Sequence, residues 1–233
     1  MKVEQFIEAL QKQNILLSSH QINQFSLYYD TLVDWNQKMN LTALVQKEEV
    51  YLKHFYDSLT IAFHFPFTNQ AIIDIGAGAG FPSIPLKIIY PDLQITIIDA
   101  LQKRTVFLEH LVSLLQLKDC EIKHARAEDY ILEKREYYDI AMARAVAKLS
   151  ILDELCLPFV KLNGHFLALK GKKAKEEIEE ANKGIRILGG KIIEQEPFLL
   201  TDDSNRMNIV IQKVKQTPKI YPRTFGQIKK KPL

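Results

Sequence analysis

Cysteine is scarce: 233 residues contain only Cys120 and Cys156. Two cysteines cannot build a disulfide framework, which fits a reducing compartment and predicts a cytoplasmic protein. No apolar run reaches the ~18 residues a membrane helix needs, so no membrane association is expected. The opening stretch MKVEQFIEALQKQN is amphipathic and of mixed charge; it lacks the apolar block of a signal peptide. Histidines are few, and His110, His124 and His165 match no metal-ligand spacing, so no metal is expected. Acidic residues are missing altogether from Ser204 to Leu233. That stretch holds Arg206, Lys213, Lys215, Lys219, Arg223, Lys229, Lys230 and Lys231, although the whole chain is only +3. Charge gathered at one end implies an anionic partner there, or a solvated tail that aids solubility.

What is present is a 47% apolar share, sufficient for a full core. Residues 1–68 read as a helical extension. Phe6, Leu10 and Leu17, then Phe25, Tyr28, Leu32 and Trp35, recur at helical spacing. From Ala71 the pattern changes to short β-branched runs alternating with helical stretches. AIIDI, QITIIDA, CEIKHA, YYDIAMARA and GHFLALK read as five strands. The helix KRTVFLEHLVSLLQL is expected to bury Val106, Leu108, Leu111, Val112, Leu114 and Leu115. KIIEQEPFLL and MNIVIQKV have no helix between them and read as an antiparallel hairpin at the sheet edge. The expected fold is therefore α/β, a mostly parallel seven-stranded sheet covered on both faces. It spans residues 69–215, and a basic tail, 216–233, follows.

Glycine is sparse too, nine in all, yet Gly76, Gly78 and Gly80 fall within five residues. They follow the first strand of the sheet, where an open α/β fold binds ligands. Without a Cβ they permit positive φ and close approach of a ligand to backbone. The dinucleotide fingerprint G-x-G-x-x-G fails, because its last position is Phe81, and no P-loop Gly-Lys-Ser/Thr follows. Asp74 stands two residues before the first glycine and would repel a phosphate; it suits a ligand with an amino or sulfonium cation. Asp99 ends the next strand, where a carboxylate either accepts ribose hydroxyls or caps a helix. The combination points to S-adenosylmethionine (AdoMet) and resembles the Rossmann-like class I methyltransferases.

Further segments narrow the likeness. WNQKMNLTA (35–43), HFYDSL (54–59), DIGAGAGFPSIPL (74–86), RAED (126–129), ARAVA (143–147) and TPKIYPR (217–223) resemble the glucose-inhibited division protein B family. These are bacterial small-subunit ribosomal RNA methyltransferases G. The resemblance spans nearly the whole chain in the same order. It implies AdoMet-dependent methylation of guanine N7 in 16S ribosomal RNA, acting on the RNA or the 30S particle, and a monomer is expected. It also implies that Gly76 and Phe81 flank the methionine part of the cofactor. By the same resemblance Ala127 and Glu128 hold the adenine edge, and Arg144 lies at the mouth of cofactor and substrate sites. In the tail, Arg223, Gly226 and Lys230 keep the family pattern, whereas Thr224 and Phe225 depart from it.

The residues permit that chemistry. Guanine N7 carries a lone pair and no proton, so alignment rather than a base is required. Carbon-5 methylation of a pyrimidine needs a nucleophilic cysteine, and both cysteines read as core residues. The fourth strand ends in ARAVAKL, without the (D/N)-P-P-(Y/F) loop of amine methylation. Arg144 suits stacking on a base or pairing with a phosphate, or else a surface salt bridge to Asp139 or Glu128. His54 and Asp57, three apart on a helix, could form a catalytic or a structural pair. Lys170, Arg206, Arg223 and Lys230 are candidate RNA contacts, Lys170 equally a plain helix-flanking charge. A class I methyltransferase of small molecules and a non-catalytic AdoMet-holding RNA-binding protein remain open alternatives.

Overall fold

The computed structural model describes residues 1–233. Two helices open the chain, α1 (Val3–Lys12) and α2 (Ser19–Met39). A capping box starts α2: Ser18 Oγ accepts from the Gln21 amide at 3.2 Å, and Gln21 Oε1 accepts from the Ser18 amide at 2.9 Å. Asn40 stops it in the left-handed region at φ 50°. A third rod follows, made of α3 (Lys47–Val50), a π-helical stretch (Tyr51–Tyr56), α4 (Asp57–Leu59) and a 3-10 turn (Thr60–Phe63).

The alternating part then runs β1 (Ala71–Ile75), α5 (Ser83–Ile89), β2 (Gln94–Asp99), α6 (Gln102–Leu114), β3 (Cys120–His124), α7 (Ala127–Lys134) and β4 (Tyr138–Arg144). It continues through α8 (Leu149–Cys156), β5 (Val160–Gly171), α9 (Ala174–Ile187), β6 (Gly190–Leu199) and β7 (Asn205–Lys213), and α10 (Phe225–Lys230) lies in the tail. The seven strands are ordered β3-β2-β1-β4-β5-β7-β6, the first five parallel. β7 runs antiparallel to both β5 and β6, so the expected hairpin closes the edge with β7 inserted inward. The strand order reverses between β1 and β4, and a crevice opens there beyond their carboxyl ends.

Strand alternation divides the core into two layers. Ile72, Ile95, Ile97, Ile140, Met142, Leu167 and Val210 face one side, together with α5 and α6. Phe6, Leu10, Phe25, Tyr28, Leu32 and Phe55 belong to that same apolar cluster. Residues 1–68 are thus continuous with the sheet's own core. Ile73, Ile75, Ile98, Ala141, Ala143, Phe166 and Ile209 face the other side, against α7, α8 and α9. One helix face differs from expectation. In α6 the buried set is Phe107, Leu108 and Leu111, with Leu115 just beyond, whereas Val106 and Leu114 are exposed and Val112 half-buried. The apolar stripe is wide, and the sequence periodicity placed its centre one residue off.

The basic tail is tied down. Lys213 Nζ, fully buried, donates to Leu157 O and Thr217 Oγ1, each at 2.6 Å, and pairs with Glu136 at 3.3 Å. Burial lowers the Lys213 pKa to about 8, against the pull of Glu136. Arg135 donates to Tyr221 O. Arg223 clamps the buried carboxylate of Glu154 at 2.6 Å, and its amide donates to Glu154 Oε1 at 2.8 Å. Arg223 therefore anchors the tail, its charge paired with a buried acid that the reading from charge alone did not include. That acid is on α8, which sequence does not bring next to residue 223. Ile228 of α10 is fully buried in the second core layer, worth about 2 kcal/mol. Arg223→Ala leaves Glu154 buried with one bond, and should cost about 3 kcal/mol of stability in urea unfolding.

Candidate functional site

β1 ends in the glycine loop. The Gly76 amide donates to Ile98 O at 2.8 Å, fixing the exit from the strand beside β2. Gly76, Gly78 and Gly80 have φ of 72°, 61° and 98°, a region closed to most side chains. The three positions differ in surroundings. A Cβ on Gly80 would stand 2.8 Å from both Ile84 Cγ1 and the Tyr28 hydroxyl, and one on Gly76 3.0 Å from Val146. A Cβ on Gly78 would meet nothing within 4 Å, and Gly78 lines a cavity of about 450 Å³. The loop thus exposes bare backbone to the cavity at one glycine and needs the others to fit its own packing. Tyr28 holds the loop from behind: its hydroxyl donates to Ala79 O at 2.5 Å, and its ring stacks on Phe81 at 5.4 Å.

The cavity brings together most of the expected cofactor residues. Gly76, Gly78 and Phe81 of the first loop, Asp99 at the end of β2, Ala127 and Glu128 at the start of α7, and Arg144 at the end of β4 all line it. Gly80 instead lies behind the loop, against Tyr28 and Leu108. Asp99 already has partners of its own. Its Oδ1 accepts from the Leu101 amide at 2.9 Å, helping start α6, and Oδ2 pairs with Arg104 at 3.3 Å. Leu41, Thr42, Arg104, Leu155 and Phe225 also line the cavity and were not singled out in the sequence. Only the WNQKMNLTA motif hinted at any of them: the Thr42 amide donates to Asn36 Oδ1 at 2.8 Å, closing that turn.

Asp74 is a correction. It is fully buried and absent from the cavity wall. Strand alternation turns Ile73 and Ile75 to one side and Asp74 to the other, onto the start of α5. There Oδ2 accepts from the Ser83 amide at 3.2 Å, while Oδ1 has no partner. Burial raises its pKa to about 7, with hydrogen bonds from Ser83 opposing. The expected direct line to a cationic ligand in the cavity is not what the geometry has: its side chain meets the start of α5.

Arg144 shares its strand face with Ile140 and Met142, so it points at the N-terminal helices and meets neither Asp139 nor Glu128. Its Nη1 donates to Asp57 Oδ2 and to Lys53 O, both at 2.9 Å, and Nη2 reaches His54 Nδ1 at 3.3 Å. Asp57, 6% exposed, also takes Arg206 Nε on Oδ1 at 3.0 Å. His54 Nε2 faces Thr42 Oγ1 at 2.8 Å, and its ring stacks on Phe81 at 4.4 Å. Burial and the Arg144 charge lower the His54 pKa to about 3, so the ring is neutral and accepts from Arg144. The guanidinium carbon of Arg144 sits 5.1 Å from the Phe81 ring centre. His54 and Asp57 are therefore the setting of Arg144, and Asp57 meets it across 87 residues of chain.

A second cavity of about 500 Å³ shares His54, Arg144, Ala145 and Val146 with the first. Lys53, Lys170 and Arg206 stand around it. Lys170 faces the opposite side of β5 from Leu169 and pairs with Glu177 of α9 at 2.6 Å, also donating to Ala147 O at 2.8 Å. Of the expected RNA contacts, Lys170 and Arg206 thus meet at this cavity. Lys230 lies exposed on α10 and does not line it.

Comparison with known proteins agrees with this geometry. Residues 21–201 match the family model GidB, described as rRNA small subunit methyltransferase G. The ribosomal RNA small subunit methyltransferase G of a Bacillus cereus strain is 53% identical over 100% of this chain and 99% of its own length. That of Bacillus thuringiensis (strain Al Hakam) is 52% identical with the same coverage. Among solved structures, M. jannaschii TYW2 in complex with AdoMet superposes with a TM-score of 0.51 at 19% identity, over 63% of this chain and 70% of the other. A 16S rRNA (adenine(1408)-N(1))-methyltransferase mutant from Catenulisporales acidiphilia gives 0.51 at 13% identity, over 64% and 87%. Both share the fold.

The loop geometry separates two glycine variants. Gly78→Leu has room for its side chain and bears only the left-handed backbone, about 1–2 kcal/mol. It should stay folded and lose AdoMet binding in isothermal titration. Gly80→Ala should instead lower the unfolding midpoint, because its Cβ collides with Tyr28 and Ile84. For Asp74 the sign follows from its raised pKa. The unfolded carboxyl ionises near pH 4 and the folded one at about 7. Stability from the neutral form is complete below about pH 4 and falls as pH rises toward 7. Relative to wild type, Asp74→Asn should gain stability at pH 8 over pH 4, by up to about 4 kcal/mol, and keep its AdoMet affinity. A large loss of affinity would restore Asp74 as a ligand contact.

Proposed function

The chain belongs to the small-subunit ribosomal RNA methyltransferase G family, and from that premise we propose that it methylates N7 of a guanine in 16S ribosomal RNA with AdoMet as donor. The observation that carries the reading is the pair of cavities meeting at Arg144. One is walled by bare backbone at Gly78 and by Asp99; the other is ringed by cations.

The residues present fit the donor. Gly78 would let the methionine portion lie against the backbone, as its open Cβ position allows. Asp99 would accept from the ribose hydroxyls while keeping its bond to Leu101. Ala127 and Glu128 would border the adenine. When bound, AdoMet supplies an electrophilic sulfonium methyl, and guanine N7 attacks it with a lone pair that carries no proton. The protein needs no general base for this, and none is poised at the shared wall: burial and the Arg144 charge leave His54 a weak base, and Thr42 and Arg144 engage both its ring nitrogens. Its task is alignment, which can lower a barrier by several kcal/mol.

Arg144 is the group that reaches both cavities. Asp57, Lys53 O and His54 fix its guanidinium, leaving a planar cation against Phe81 and at the edge of the second cavity. That placement suits positioning the target guanine by stacking or by hydrogen bonds to its carbonyl edge. Lys170 and Arg206 are each already paired with a carboxylate. They would border the RNA path, with phosphate steering left to the unpaired, exposed lysines of the tail. Such contacts position RNA without selecting a base.

The test is methyl transfer from tritiated AdoMet to 16S ribosomal RNA and to 30S particles from a strain lacking the gene, with the product located by mass spectrometry. The expected product is 7-methylguanosine. Arg144→Ala should lower turnover by about a hundredfold with a smaller change in AdoMet affinity. His54 should add no step to the pH–rate profile between about pH 6 and 8, since it titrates far below, and a His54→Gln variant should keep the wild-type profile shape. Label in another base, or in no RNA, would overturn the reading.

A further inference from the structure

The end of the basic tail enters the donor cavity. Thr224 caps α10 through a capping box with Gln227, whose Oε1 accepts from the Thr224 amide at 3.2 Å and hydroxyl at 3.0 Å. The next residue, Phe225, is half-buried and lines the 450 Å³ cavity, as do Leu155 and, at the start of α7, Ala127 and Glu128. Phe225 packs against the second core layer only in part. Ile228, one turn on, has no exposed surface, whereas Phe225 stays partly exposed at the cavity. The strap before it is held at Lys213, Thr217, Tyr221 and Arg223 by groups on other elements. So many ties on a short stretch fix where residue 225 stands.

We infer that Phe225 is a binding residue of the donor site, its ring forming the apolar wall on which the adenine of AdoMet lies. The inference rests on the donor-site reading given above. Ala127, Leu155 and the packing of Phe225 all belong to the second core layer, so one side of the cavity is apolar where the polar edge of the purine meets Glu128. A purine offers a π face to any aromatic ring, and contacts of this kind are worth roughly ten- to a hundredfold in affinity. The tail then has two separate jobs. Lys213, Thr217 and Arg223 seat an aromatic wall, and the exposed lysines at 229–231 face solvent.

Isothermal titration of the full chain with AdoMet and with S-adenosylhomocysteine tests this. Phe225→Ala should raise both dissociation constants about tenfold, equally, because the methyl group is not what the ring touches. Phe225→Tyr, which keeps the π face, should stay within about threefold of wild type. A fluorescence readout guards against a folding effect. Phe225→Trp places an indole in the cavity, and AdoMet should quench it beyond any change the sole native tryptophan, Trp35, shows in the parent. Unchanged dissociation constants in Phe225→Ala, or no ligand-dependent signal from Phe225→Trp, would overturn the inference and leave the donor-site reading standing. A wild-type chain that binds neither ligand would overturn both.

Discussion

Two guanidiniums converge on one buried carboxylate, and the catalytic face is assembled around it. Asp57 belongs to the N-terminal helical rod, Arg144 to β4 and Arg206 to β7. Burying any of these charges alone would cost several kcal/mol. Together they are satisfied, with Lys53 O and His54 taking further bonds from Arg144. Leu44, Lys53, His54 and Asp57, all from before Ala71, form one side of the second cavity. The N-terminal helices are therefore a component of the site as well as a cover for the sheet. A sheet without them would hold Arg144 with no partner.

The period of two along each strand explains which charges reach which cavity. Arg144 shares parity with Met142 and Ile140, and Arg206 with Asn208 and Val210, so both turn toward the helices that carry Asp57. Lys170 shares parity with Ala168 and Phe166 and turns the other way, to Glu177 on α9. The cationic ring around the second cavity is thus built from both faces at the rim of the sheet. The same rule buries Asp74. It lies under the glycine loop, on the face opposite Ile75, where it caps α5 instead of lining the cavity.

Much of this was legible in the sequence because it is local. The strand runs, the glycine turn and the capping signals each sit within a few residues. The position of Asp99 at a strand end, and of Arg144 at another, followed from counting along strands. What could not be read was pairing at long range. Nothing near Arg144 announces Asp57, nothing near Glu154 announces Arg223, and Phe225 comes to the same cavity as Ala127 and Leu155 only through the folded tail. Asp74 shows the opposite failure. Its proximity in sequence to the glycines suggested a place on the cavity wall, and strand parity turns its side chain away from that wall. The tail was legible as charge and illegible as structure, since composition does not say which lysines are paired.

Charge counting overstates what the tail offers an RNA. Lys213 and Arg223 are taken up by carboxylates or buried carbonyls, and Arg206 is shared with Asp57. Inside the two cavities most cations have an acidic partner, so a phosphate there would compete with an existing ion pair and gain little. The exposed lysines, Lys219 and Lys229 to Lys231, have no such competitor. Affinity for the backbone therefore belongs to the periphery, where counterion release is unopposed. Arg144, held by three partners at the rim between the cavities, is instead a fixed planar cation. The uncompensated positive charge of the chain and its most tightly held guanidinium thus lie in different places.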